Sequence, residues 1–209
     1  MSIPMRGSAF HSVTLFIGFG RCEAGLVSVD DAFFGTDSVT LDTDTGLEWL
    51  DLLPSTNCSF NQVATNTCKA GGFAGWRHAT EPEIRTFWTN AGLVDISSTR
   101  DATDLNAVLA VQSLVGTNWL VVDLLQNSSG YYDDGGPGGL VGRAQVTHWF
   151  FPSETTEDIV PDNSSPDFIA STNGSWLVRT ASVPESTTSV LLIGALMSLT
   201  APSRRTKAD

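Results

Sequence analysis

Few side chains in this chain could do chemistry, carboxylates apart. Of three histidines, His11 lies near the amino terminus. His78 sits in Gly-Trp-Arg-His-Ala-Thr, directly before a helix cap, and His148 in Val-Thr-His-Trp-Phe-Phe, a strand-like run flanked by aromatics. A triad needs a nucleophile and an orienting group around such a histidine, and a zinc centre needs further ligands. H-E-x-x-H, G-x-S-x-G, paired C-x-x-C and P-loop patterns are absent. His78 and His148 therefore read as hydrogen-bonded structural residues. The chain reads as a non-enzyme, with no catalytic residue, cofactor or metal ligand to assign.

Carboxylates leave more room. Glu48, Asp51 and Asp123 fall near expected strand ends, where a glycosidase-type pair could form, although solvated carboxylates would look the same. Asp42, Asp44 and Glu48 look like a fragment of a calcium loop, but the remaining ligands and the later bidentate Glu are missing, so the segment reads as a turn. Asp133 and Asp134 are a second acidic pair, in a Gly/Asp-rich stretch. Arg77 and Arg179 each suit a bidentate pair with a carboxylate. Trp76 and Trp119 could stack on sugars or pack in a core. Cys58 and Cys68 form an even pair once Cys22 is assigned to a cleaved leader. A disulfide between them competes with a helix over Ser59–Ala70, because cysteines ten apart on a straight helix lie ~15 Å apart. Either reading stands at this point.

The elements that must position these groups are partly legible. Val27–Phe34 and Ser38–Leu52 are β-prone runs, the second interrupted by turn residues at Asp42–Gly46, which predicts a hairpin. Ser59-Phe-Asn-Gln62 and Thr80-Glu-Pro-Glu83 are capping boxes that start two helices. In the second helix Ile84, Phe87, Trp88 and Ala91 make a core-facing stripe, ended by Gly92. A third helix is expected over Asp104–Leu114 with Leu105, Val108, Leu109 and Leu114 inward. Strands are expected at Trp119–Leu125, Leu140–Phe151 and Ser175–Thr180, separated by surface loops at Asn127–Gly139 and Ser153–Asn173. Strands before and after a helical middle predict an α+β domain with about three short helices and an antiparallel sheet.

Charge and the chain ends speak to location. The 209 residues carry a net charge of −12. Six basic against 20 acidic residues lie between Gly25 and Ser182, a net −14 that disfavours nucleic-acid binding. Residues 1–24 have the order of a signal peptide: Arg6, an apolar stretch from Ala9 to Gly20, and small residues before Gly25. A buried strand around Val13–Phe19 is the alternative. An acidic domain follows over 25–182, then a tail over 183–209. The tail has a Pro-bearing polar start, an apolar Thr187–Ala201, and Arg204, Arg205 and Lys207 at its end. Fifteen residues fall short of the ~20 of a full span, which suggests transient membrane insertion halted by the basic end. A terminal helix packed on the domain is the alternative.

Val183-Pro184-Glu185 followed by this apolar and basic sequence resembles the PEP-CTERM sorting signal, with Ser186 where a second proline is usual. The blocks Asp42–Leu52, Ser59–Val63, Gly75–Thr80 and Gly174–Arg179 are similar to ordered blocks of a group of PEP-CTERM proteins. More distantly they resemble the C-terminal domain of collagen-like bacterial adhesins, which implies a C-type-lectin-like fold. The resemblance implies partners in the export machinery and an exosortase-type processing enzyme, contact with extracellular polysaccharide, and a secreted or cell-surface location in a Gram-negative bacterium. Three functions remain open: a non-catalytic surface or biofilm-matrix protein, a lectin-like module for glycan or cation, and a secreted hydrolase using a carboxylate pair.

Overall fold

Two aspartates make the first turns. Asp31 Oδ1 accepts hydrogen bonds from the backbone amides of Phe33 and Phe34 (2.7 and 3.0 Å), reversing the chain between β1 (Leu26–Asp31) and β2 (Gly35–Asp42). Asp42 Oδ1 does the same for Asp44 and Thr45 before β3 (Leu47–Leu50), while its Oδ2 accepts from Asn90 Nδ2 at 3.0 Å. The hairpin around Asp42–Gly46 is as expected, with Gly46 at φ +70° closing it. A computed structural model describes residues 25–96, 98–135, 141–162 and 164–182. His11, the expected leader over 1–24, and Val183, Pro184 and Glu185 with the rest of the tail lie outside the described residues.

The first sheet is completed by β4 (Arg77–His78) and β10 (Leu177–Thr180), in the order β1-β2-β3-β10-β4, all antiparallel. Strand alternation gives it two apolar faces. Trp49 and Val178 face a large core, whereas Val39, Leu50 and Leu177 face a smaller cluster with Val63, Phe73 and Trp76. The large core lies against α2 (Glu81–Asn90), α3 (Leu105–Val115) and the second sheet. The smaller one is covered by α1 (Phe60–Ala64) and the segment after it.

α1 and α2 start as their capping boxes predict. The Ser59 amide donates to Gln62 Oε1 (2.9 Å) while Ser59 Oγ accepts from the Gln62 amide (3.1 Å). The Thr80 amide donates to Glu83 Oε2 at 2.8 Å. α1 does not run on to Ala70. Asn66, Lys69 and Ala70 adopt left-handed φ values of 54°, 49° and 53°, and the fold back brings the Cα atoms of Cys58 and Cys68 to 6.0 Å in a disulfide. On α2, Ile84, Phe87 and Trp88 are fully buried. α3 is rotated from the expected face. It buries Val108, Val111, Gln112 and Val115, whereas Leu105 and Leu109 are only half-buried. The reason is Gln112, whose amide donates to the carbonyls of Gln126 (3.1 Å) and Val146 (3.3 Å) and accepts from Gln126 Nε2 (2.7 Å), making a polar position an inward one.

The second sheet departs most from expectation. It comprises β5 (Trp119–Val121), β6 (Leu125–Tyr132), β7 (Val141–Trp149) and β8 (Glu154–Asp162) in that order, with β9 (Gly174–Ser175) pairing parallel to β6. The strands thus divide into two sheets. Trp119–Leu125 is not one strand but a hairpin turning at Asp123 (φ 60°), and it leaves Trp119, Leu120, Val122 and Leu124 exposed. The stretch expected as a loop from Asn127 is the buried central strand β6. Two of its polar side chains find partners inside the domain: Asn127 Nδ2 donates to Thr147 Oγ1 (2.6 Å) and Ser128 Oγ to the Gly116 carbonyl (2.6 Å), whereas Asn127 Oδ1 and Ser129 Oγ are buried without one. Gly130 permits the close packing, since a Cβ there would lie 2.9 Å from Leu52 and 3.0 Å from Trp176. The second expected loop begins as β8, a polar edge strand. The described domain is α+β. Among the described residues no helix is long and apolar enough to cross a membrane.

Candidate functional site

β4 is an edge strand, so the backbone of the first sheet ends there and side chains converge from three sides. α1 stands over it, supplying Phe60 and Ala64, while Thr80 caps α2 immediately after it. The end of β6 arrives opposite. Asp133 donates its amide to the Ala79 carbonyl at 2.9 Å, and Thr80 and Asp133 form an isolated parallel bridge. Phe60, Ala64, Trp76, Arg77, His78 and Asp133 thereby line an open groove of about 490 Å³, within the size range of small-ligand sites. A second basin of about 390 Å³ shares Thr80 and Asp133 and adds Glu81, Pro82, Asp134 and Gly135.

The groove holds one aromatic stack. Phe60 and His78 lie face to face, centroids 3.7 Å apart and planes inclined by 18°. His78 is only 7% exposed, and its Nε2 is buried without a hydrogen-bond partner. Burial pushes its pKa down to about 4, against the opposing pull of Asp133, so the imidazole is neutral at physiological pH. Because the unfolded chain takes up this proton near the ordinary value of 6.5, the stability tied to a neutral His78 is complete above pH 6.5. It is lost as pH falls from 6.5 through 4. Thermal melts at pH 7 and pH 4.5 should show a smaller acid loss for His78→Gln than for the parent chain. Equal losses would mean the imidazole is not held neutral.

Two arginines frame the groove. Arg77 makes a bidentate pair with Glu83, at 2.9 Å from Nη1 and 2.5 Å from Nη2. The Arg77 hydrogen bonds, with help from the Thr80 amide and hydroxyl, hold the Glu83 carboxyl down at about 2. Arg179 lies 4.2 Å over the Trp76 ring and bridges Asp31 (2.9 Å) and Glu48 (2.5 Å). It locks Trp76 in place and consumes Glu48.

The other sequence candidates are dispersed. Asp51 is half-buried after β3, its carboxyl pushed up to about 6 by burial and then by the Asp37 charge. Asp123 sits at the β5–β6 turn, and Trp119 is exposed on β5. His148 on β7 shares a 3.1 Å hydrogen bond with Ser153 Oγ and meets Phe150 edge-on. Glu48, Asp51 and Asp123 are thus drawn into separate local environments, and none of them lines the groove. Among the described residues no group of three or more His, Cys, Asp or Glu could hold a metal ion. Phe60 is the site residue that sequence reasoning did not single out. Its only signal was its place at the first position of a capped helix, directly after Cys58-Ser59.

No family model, curated protein or solved structure matches the chain. The groove has an aromatic wall in which a neutral imidazole is stacked, and a carboxylate from Asp133. A pyranose presents matching surfaces, with apolar C–H patches for aromatic rings and hydroxyls for polar groups.

Proposed function

We propose that this chain is an exported surface or matrix protein, sorted through its Val183-Pro184-Glu185 tail by an exosortase-type enzyme, whose domain holds extracellular polysaccharide without catalysing a reaction on it. The observation that carries the binding part is the Phe60–His78 stack beside Trp76 and Asp133 in an open groove. The Cys58–Cys68 disulfide at the base of the Phe60 wall supports export, because such bonds persist in oxidising compartments. The basic and apolar order of the two chain ends supports it from the sequence.

The test is retention of the full chain on immobilised polysaccharide, with Phe60→Ala as the variant. Removing the ring should reduce retention at least tenfold, about 1.4 kcal/mol, while leaving the melting temperature within a few degrees, because Phe60 is only half-buried. Mass spectrometry of the secreted protein should find the C-terminus at or near the Val183–Ser186 motif in a host that has the sorting enzyme. Unchanged retention in the variant would remove the groove from the proposal, and an intact Asp209 end on secreted protein would remove the sorting step.

A further inference from the structure

The groove and its adjoining basin differ in character. The groove is walled by rings, whereas the basin beyond Thr80 is lined by Glu81, Asp133 and Asp134 and by no basic residue. Asp133 belongs to both. One of its oxygens accepts the Gly135 amide at 3.0 Å, and its side chain is exposed. The nearest guanidinium, Arg77, is committed to Glu83 in a two-point pair. Asp133 has no ion pair among the described residues. His78, more than nine-tenths buried, also lines the groove, and its Nε2 lies beneath the surface without a hydrogen-bond partner.

We infer that this site takes a cationic amino sugar: the pyranose ring lies against Phe60 and Trp76, its ammonium meets Asp133, and a ring hydroxyl meets His78. This deepens the glycan-binding reading and rests on it. A neutral sugar would gain nothing from the Asp133 charge, and an acidic sugar would be repelled by it. The domain around the site, with 20 acidic and six basic residues between Gly25 and Ser182, adds a long-range field that gathers a polycation and disperses a polyanion. A simple cationic peptide would satisfy Asp133 but would offer no ring face or hydroxyl to the aromatic wall and the imidazole.

The decisive experiment is calorimetric titration of the purified full chain at pH 6 with chain-matched oligosaccharides. The set comprises glucosamine oligomers, their N-acetylated forms, neutral glucose oligomers and an oligolysine. Glucosamine oligomers should bind at least tenfold more tightly than the acetylated and neutral ones, and the advantage should shrink as salt rises. Asp133→Asn can still accept the Gly135 amide, and it should erase the preference while residual binding of neutral oligomers persists. Phe60→Ala should weaken all three saccharides together. Equal binding of neutral and amino oligomers, both lost in Phe60→Ala, would overturn the cationic inference and leave the glycan reading standing. Oligolysine binding as tightly as oligoglucosamine, insensitive to Phe60→Ala, would show a site that reads charge alone, overturning the inference. Absence of binding to every saccharide would overturn both.

Discussion

Trp176→Ala should lower the unfolding free energy by about 3–5 kcal/mol, the largest single-substitution loss expected in this domain. The indole lies where the two sheets and α2 meet, edge-on to Trp49 (6.4 Å), Phe87 (6.4 Å) and Trp88 (5.9 Å). Its Nε1 donates to the Ala144 carbonyl on β7 at 2.9 Å, a buried bond from the segment leading into the first sheet to the second sheet. Truncation leaves a void and removes this buried bond. Phenylalanine controls separate the two effects. Trp176→Phe fills part of the void but still loses the bond to Ala144, whereas Trp88→Phe removes an indole N–H that already lacks a partner. Urea unfolding should therefore rank Trp176→Ala as most damaging, then Trp176→Phe, then Trp88→Phe. A loss below about 1 kcal/mol for Trp176→Ala would contradict a close-packed junction, in a domain whose whole stability is ~5–15 kcal/mol.

Removing the Cys58–Cys68 bridge, as Cys58→Ala with Cys68→Ala, should cost about 2–3 kcal/mol through the entropy restored to the unfolded loop. The structural consequence is local. α1 has only five residues, too few to persist unaided. It is held by its capping box, by the disulfide, and by the Asn61 contacts to the Pro166 carbonyl (3.1 Å) and Asp167 (2.8 Å). Without the bridge, Phe60 should leave His78 more often, so polysaccharide retention should fall further than the stability loss alone dictates. Melting curves with and without a strong reductant would measure the first effect and retention assays the second. A reductant-independent melting temperature would mean that the bridge contributes nothing to the fold.

The parts legible in the sequence are those built from local chemistry. Both capping boxes, the Asp42 turn and the Ile84–Phe87–Trp88 stripe depend on residues a few positions apart, so their pattern survives without knowledge of the partner. β6 could not be read this way. Leu-Gln-Asn-Ser-Ser-Gly-Tyr-Tyr has the composition of a loop, and only hydrogen bonds donated to Thr147, Asn118 and the Gly116 carbonyl offset the burial of its polar groups. β8 was hidden for the opposite reason. As an outer strand it carries charge and Pro161, features that keep sheet edges from pairing with other chains. The site was half legible: Trp76, Arg77, His78 and Thr80 stand together in one sequence block, while Phe60 and Asp133 reach them only through tertiary folding.

The position of β10 has a consequence for the order of events in synthesis. The last described strand is inserted between β3 and β4, so the first sheet lacks an interior member until residue 180 is available. The Trp176 junction and the Arg179 clamp on Asp31, Glu48 and Trp76 also wait for that segment. A chain growing from its amino end therefore remains without its central pairing for almost the whole length of the domain, because the contacts that close it span over 100 positions. Once Thr180 is available, the two halves of the sheet close around a strand that arrives last.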